Sequence, residues 1–174
     1  IFPKNKSIIY NDTQFTWEET FERCKLLASA LQNIGLKKGD VVGFMAANTP
    51  ELYEAHFAVP MAGMVLNALN YRLDPKTIAY IIDHAEIKLL VVDKEFSAVI
   101  AEAVQKSKIK PILIDIDDAN VKTGELLGRF EYEKFLSSGS QNFTIIEPSD
   151  EWDTISINYT SGTTGKPKGV VYHF

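Results

Sequence analysis

The stretch VVGFMAANTPELYEAHFAVPMAGMVLNAL, Val41 to Leu69, decides the fold. Val41–Ala46 is a continuous apolar run of strand length, as expected when both faces of a strand are covered. Asn48-Thr49-Pro50-Glu51 then starts a helix, with Thr49 as cap and Pro50 in the first turn. Tyr53, Phe57 and Met61 recur at helical spacing as its apolar stripe, and Gly63 ends it. Val65–Leu69 returns to strand. Strand, helix and strand in so short a span make a crossover unit of a parallel sheet.

The same alternation continues outward. Upstream, Ser7–Tyr10 and Gln14–Phe15 flank Asn11-Asp12-Thr13, which predicts a hairpin turn. Thr16-Trp17-Glu18-Glu19 reads as a capping box, followed by an apolar stripe of Phe21, Cys24, Ala28, Leu31 and Ile34 that stops at Gly35. Downstream, Asp74-Pro75 opens a helix through about Asp83, and Lys88–Val92 reads as a buried strand. Phe96–Lys106 reads as a helix, Ile112–Ile116 as a strand, 117–129 as loop, and Tyr132–Leu136 as a short helix. Asp153–Tyr159 alternates as a strand should, and Val170–Tyr172 follows as another. The fold class expected is α/β, a largely parallel sheet flanked by helices on both faces.

Composition narrows the function. With 174 residues, 45% hydrophobic and 24% charged, the chain has the makeup of one globular domain with a sizeable core. A net charge of −5 argues against a nucleic-acid partner. Lys106, Lys108 and Lys110 cluster, but as a solvated helix end. Cys24 is the only cysteine, which excludes an intrachain disulfide and fits a reducing, cytoplasmic setting. No apolar run approaches a membrane span, and the start lacks the pattern of a signal peptide. His56, His84 and His173 show no metal-ligand spacing. Asp115, Asp117 and Asp118 read as a solvated acidic turn, and Cys24 as core.

The chemistry concentrates in YTSGTTGKPKG, Tyr159–Gly169. Side chains this small build no core, and glycines cost backbone entropy on folding. Such a run makes sense where backbone amides must approach a ligand closely. Gly162 and Gly165 permit a nest of N–H groups, Thr160, Ser161, Thr163 and Thr164 add hydroxyls, and Lys166 and Lys168 add charge. The fitting ligand is a polyphosphate. The spacing is not that of the Gly-x-x-x-x-Gly-Lys-Ser/Thr loop, because Gly162 and Gly165 stand too close together and Pro167 follows Lys166. Pro167 fixes the backbone just before Lys168 and limits where that ammonium reaches. The bland alternatives are a solvated Ser/Thr/Gly linker and an ordinary surface lysine.

YTSGTTGKPKG resembles the signature loop of the adenylate-forming, AMP-binding enzymes. The following VVYH, with FTWEETFERCKLLASAL, the stretch GDVVGFMAANTPELYEAHFAVPMAGMVLNALNYRLD and IAYIIDHAEIKLLVVD, is similar to the short- and medium-chain acyl-CoA ligase branch, including methylmercaptopropionyl-CoA ligases. One departure is Phe174, where relatives carry a second His. The resemblance implies an ATP-dependent ligase: a small-molecule carboxylate and ATP give acyl-AMP and pyrophosphate, and CoA then forms the thioester. It implies that Thr160, Ser161, Gly162, Thr163, Thr164, Gly165, Lys166, Pro167 and Lys168 hold the β- and γ-phosphates of ATP. Lys168 is then the catalytic charge and Lys166 auxiliary at best. Thr160 is the candidate Mg²⁺ contact, or else bonds only the loop backbone. It also implies that residues 1–174 are part of a large amino-terminal domain, truncated at both ends and separate from a small carboxyl-terminal domain, in a parent compatible with an oligomer. The alternatives are a domain loading a carrier protein and a catalytically silent nucleotide-binding piece.

Overall fold

Capped, stripe-bearing segments become helices here, and continuous apolar runs become strands between them. The structure is a computed structural model, and it describes residues 2–160 and 166–174. Strands β1 (Lys6–Tyr10) and β2 (Thr13–Thr16) form an antiparallel hairpin. Its turn holds Asn11 at φ 51°, a left-handed conformation that asparagine tolerates. Helix α1 (Trp17–Asn33) begins at the expected capping box: Thr16 accepts the Glu19 amide, and the Glu19 carboxylate accepts the Thr16 amide at 2.8 Å.

The body of the fold runs β3 (Val41–Met45), α2 (Pro50–Met61), β4 (Val65–Ala68), α3 (Pro75–His84) and β5 (Ile87–Asp93). A 3-10 turn at Lys94–Phe96 leads into α4 (Ser97–Lys106), then β6 (Ile112–Ile116), β7 (Phe130–Glu131) and α5 (Tyr132–Leu136). Last come β8 (Thr154–Thr160) and β9 (Lys168–His173). Among the described residues the main sheet has the order β7-β6-β5-β3-β4-β8-β9. Its pairings are parallel except β8 with β9, which is antiparallel. The mixed sheet flanked by helices is therefore the α/β class that the alternation implied.

Two apolar layers sandwich the sheet. On one face α1, α2 and α5 pack on Val42, Phe44, Leu66, Leu89, Val91 and Ile114. On the other, α3 and α4 pack on Met45, Ile87, Leu90 and Val92. Burial on both faces is why these strands read as continuous apolar runs.

Two stripes differ from expectation. In α1 the buried positions include Cys24, Leu27, Ala28 and Leu31, whereas Phe21 is 47% exposed with the Lys25 ammonium 5.8 Å from its ring. In α2 the buried positions are Pro50, Glu54, Ala55, Ala58 and Val59, whereas Phe57 is exposed and packs edge-on against Tyr53. Alanines on α1 and α2 share one core cluster, and small side chains permit close helix approach. The large aromatics are displaced outward by that packing. Thr49 is the N-cap residue by position, but its hydroxyl makes no capping bond and is buried without a partner among the described residues.

Gly63 ends α2 as expected, at φ +69°. A β-carbon there would meet Ile146 Cγ2 at 3.1 Å and Lys38 Cγ at 3.3 Å. Gly63→Ala is expected to cost about 1–2 kcal/mol, the scale of one non-glycine residue held left-handed. Thermal unfolding should register a drop of several degrees, and an unchanged midpoint would contradict this reading.

Candidate functional site

Strand β8 runs parallel to β4, so its carboxyl end lies along the sheet edge where the other parallel strands also end. Ligands of such sheets bind at that edge. The chain then turns back as β9, in the register Tyr159↔Gly169 and Thr160↔Lys168. Residues opposed in this way carry their side chains on the same face, about 5 Å apart at Cβ. The Thr160 hydroxyl and the Lys168 ammonium thus leave the neck of the hairpin together, and both residues are exposed. Pro167 is half-buried immediately before β9. The predicted Ser161, Gly162, Thr163, Thr164 and Gly165 lie outside the described residues.

Lys166 is placed differently from Lys168. Its ammonium sits 5.8 Å from the centroid of the Tyr80 ring on α3. On the other flank, the Tyr159 hydroxyl pairs with Nδ1 of His84 at 2.6 Å, and the two rings meet edge-on. Tyr80 and His84 lie one helical turn apart with ring centroids 5.2 Å from each other. Burial, with a smaller contribution from Tyr80, pushes the Tyr159 phenol up to about 12. Tyr159 therefore keeps its proton at neutral pH. Below it, the Asn67 side-chain amide donates to the Ile157 carbonyl at 2.6 Å, reaching from β4 to β8.

Sequence reasoning assigned no role to Tyr80 or Asn67 and read His84 only as lacking metal-ligand spacing. The pair on α3 carried one readable signal, two aromatic rings at i and i+4 on one helix face. Asn67 carried another, a polar residue inside an apolar strand that is buried in the structure.

The other histidines, Cys24 and the aspartates of the acidic turn are occupied elsewhere. His56 is exposed and bonds the Leu52 carbonyl, and His173 bonds the Trp152 carbonyl. Cys24 is core as expected, and burial pushes its thiol up to about 12. The acidic turn requires correction at one position. Asp115 is buried and accepts the Leu127 and Gly128 amides at 2.9 and 2.6 Å, so it pins the loop rather than facing water. Asp117 pairs with Lys94, and Asp118 accepts the Tyr10 hydroxyl. No group of three or more His, Cys, Asp or Glu residues among those described could hold a metal ion. Among the described residues no helix is long and apolar enough to cross a membrane. An open cleft of about 310 Å³ lies beside Val41, Val65 and Thr154 at the starts of their strands, and Thr160 does not line it.

The chain is similar to known proteins in sequence and in fold. An acetate/butyrate–CoA ligase of Arabidopsis thaliana, described as peroxisomal, is 40% identical over 99% of this chain and 32% of its own length. A trans-cinnamate:CoA ligase of Petunia hybrida, also described as peroxisomal, is 44% identical over 98% of this chain and 33% of its own length. The chain thus spans about a third of the curated relatives it matches. In three dimensions it superposes on the anthranilate CoA ligase AuaEII, solved with anthranoyl-AMP, with a TM-score of 0.89. That match has 22% identity and covers 99% of this chain and 32% of that one. The family described as AMP-binding enzyme matches residues 2–174, and the chain belongs to that family.

Proposed function

We propose that this chain is the amino-terminal part of an ATP-dependent acyl-CoA ligase and holds the triphosphate of ATP at the β8–β9 hairpin. The carrying observation is the pairing of Thr160 with Lys168 across the neck of a glycine- and hydroxyl-rich loop at the carboxyl edge of a parallel sheet. Relatives named as CoA ligases, matched along nearly the whole chain, support the substrate class: a small carboxylic acid, ATP and CoA. The carboxylate attacks the α-phosphorus, the bond to the β-phosphate oxygen breaks, and pyrophosphate leaves with the electron pair. Negative charge then grows on the departing group, where Lys168 and the loop amides stabilise it. Thr160 would offer one hydroxyl to Mg²⁺, which spreads the phosphate charge when bound. Pro167 and the residues Ser161 to Gly165 complete the proposed phosphate cradle, with Lys166 at its border against the Tyr80 ring.

The assay that tests this is carboxylate-dependent exchange of labelled pyrophosphate into ATP by the intact ligase, followed by CoA-dependent release of AMP. AMP and thioester in equal amounts are expected. Formation of ADP would point to phosphoryl transfer and reject the proposal. Exchange without CoA-dependent release would point to a different acyl acceptor.

A further inference from the structure

The strand that delivers the loop is laddered to β9 along its length, but on its other side it is held mainly through side chains. Among the described residues β8 registers on β4 at Leu66↔Ser156. Further along, the Asn67 side-chain amide donates to the Ile157 carbonyl. Beyond Ile157, α3 adds side-chain contacts to the β9 pairing. His84 takes the Tyr159 hydroxyl on the incoming flank, and the Tyr80 ring lies under the Lys166 ammonium on the outgoing flank. Tyr159 is the residue immediately before Thr160, and Lys166 stands two before Lys168.

The packing around Tyr159 is close. Gly169, its cross-strand partner, has no side chain, and a β-carbon there would stand 3.4 Å from Tyr159 Cζ and 2.8 Å from Ile157 Cδ1. The tyrosine ring therefore covers Gly169, and its hydroxyl continues to His84. Tyr159 thus ties β8 to α3 one residue before Thr160.

We propose that Tyr80 and His84 of α3 clamp both flanks of the loop, and that His84, through Tyr159, is a positioning residue for nucleotide binding. The proposal rests on the reading of the hairpin as the ATP site. It also assigns different tasks to the two lysines. Lys166 fastens the loop to α3, and Lys168 faces the phosphates. His84 itself touches no substrate in this scheme.

The test uses His84→Ala, Tyr159→Phe, their double variant and His84→Asn in the intact ligase. Each single variant is expected to raise the KM for ATP roughly 3- to 10-fold, the scale of one net hydrogen bond. The KM for the carboxylic acid should stay at the unmutated value. The double variant should lose no more than the larger single loss, because both changes remove the same contact. His84→Asn, which keeps a polar atom near the Nδ1 position, should recover most of the affinity. Equal rises in both KM values, additive losses, or an unchanged KM for ATP would overturn the clamp. Absence of pyrophosphate exchange in the unmutated enzyme would overturn the ATP-site reading and the clamp with it, whereas exchange with indifferent variants overturns the clamp alone.

Discussion

Lys168→Ala in the intact ligase is expected to slow adenylation by roughly 10²–10³, the scale for removing one group that stabilises charge developing in a transition state. The expectation comes from placement. Lys168 is the first residue of β9, stands opposite Thr160, and follows the fixed backbone of Pro167. Its side chain leaves a hydrogen-bonded strand rather than a free loop, so little backbone ordering entropy is lost when the ammonium meets a phosphate. The effect should fall on kcat for pyrophosphate exchange more than on the KM for the carboxylic acid, since charge accumulates on the leaving group during the reaction. Lys168→Arg should retain part of the rate, because it keeps the charge but changes its reach. Lys166→Ala should cost much less, because that ammonium lies on the Tyr80 ring. If Lys168→Ala exchanges pyrophosphate at the unmutated rate, the role assigned to Lys168 is wrong.

Local signals in the sequence carried the element boundaries well. The Thr16–Glu19 capping box is formed on both sides, and Asp74 caps α3 by accepting the Lys76 and Thr77 amides. Strand β6 occupies Ile112–Ile116 as its apolar run implies. Each of these is decided within a few residues, where propensity and capping act. What the sequence hid depends on distant partners. The outward turn of Phe21 and Phe57 follows from two alanine-bearing helices meeting across the core, which neither stripe reveals alone. The antiparallel return of β9 depends on which edge of β8 remains open once β4 has paired with the other. For the candidate site, Thr160 and Lys168 were legible as a motif, but the bond between His84 and Tyr159 spans 75 residues. Glu54 was hidden for the same reason. A glutamate in an amphipathic helix reads as solvent-facing until its partner is placed, and here that partner is Arg23 on α1, 31 residues away.

That buried pair carries a large expected stability effect. The Glu54 side chain is fully buried and receives Arg23 Nε at 2.5 Å and the Tyr132 hydroxyl at 2.8 Å. The same guanidinium reaches Glu133 at 2.6 and 3.0 Å, so one cation serves two carboxylates. Burial raises the Glu54 carboxyl above its ordinary pKa, although Arg23 and Tyr132 both pull it down. Arg23→Met removes the cation and leaves Glu54 with the Tyr132 hydroxyl. Breaking such a pair costs about 3–5 kcal/mol, which lowers the unfolding midpoint by about 10 °C in a chain of this size.

The loss should depend on pH in a defined direction. A carboxyl whose folded pKa exceeds its unfolded value of about 4.3 contributes stability below that value and loses it as pH rises through the folded value. Without Arg23 the folded value rises further, so the deficit of the variant should be smallest in acid and grow towards neutral pH. Glu54→Gln added to Arg23→Met removes the unpaired charge while keeping a partner for Tyr132. The double variant should therefore regain most of the midpoint and lose the pH dependence. A deficit that is equal at acid and neutral pH, or a double variant no more stable than Arg23→Met, would mean that packing of the arginine stem rather than ionic pairing holds α1 against α2.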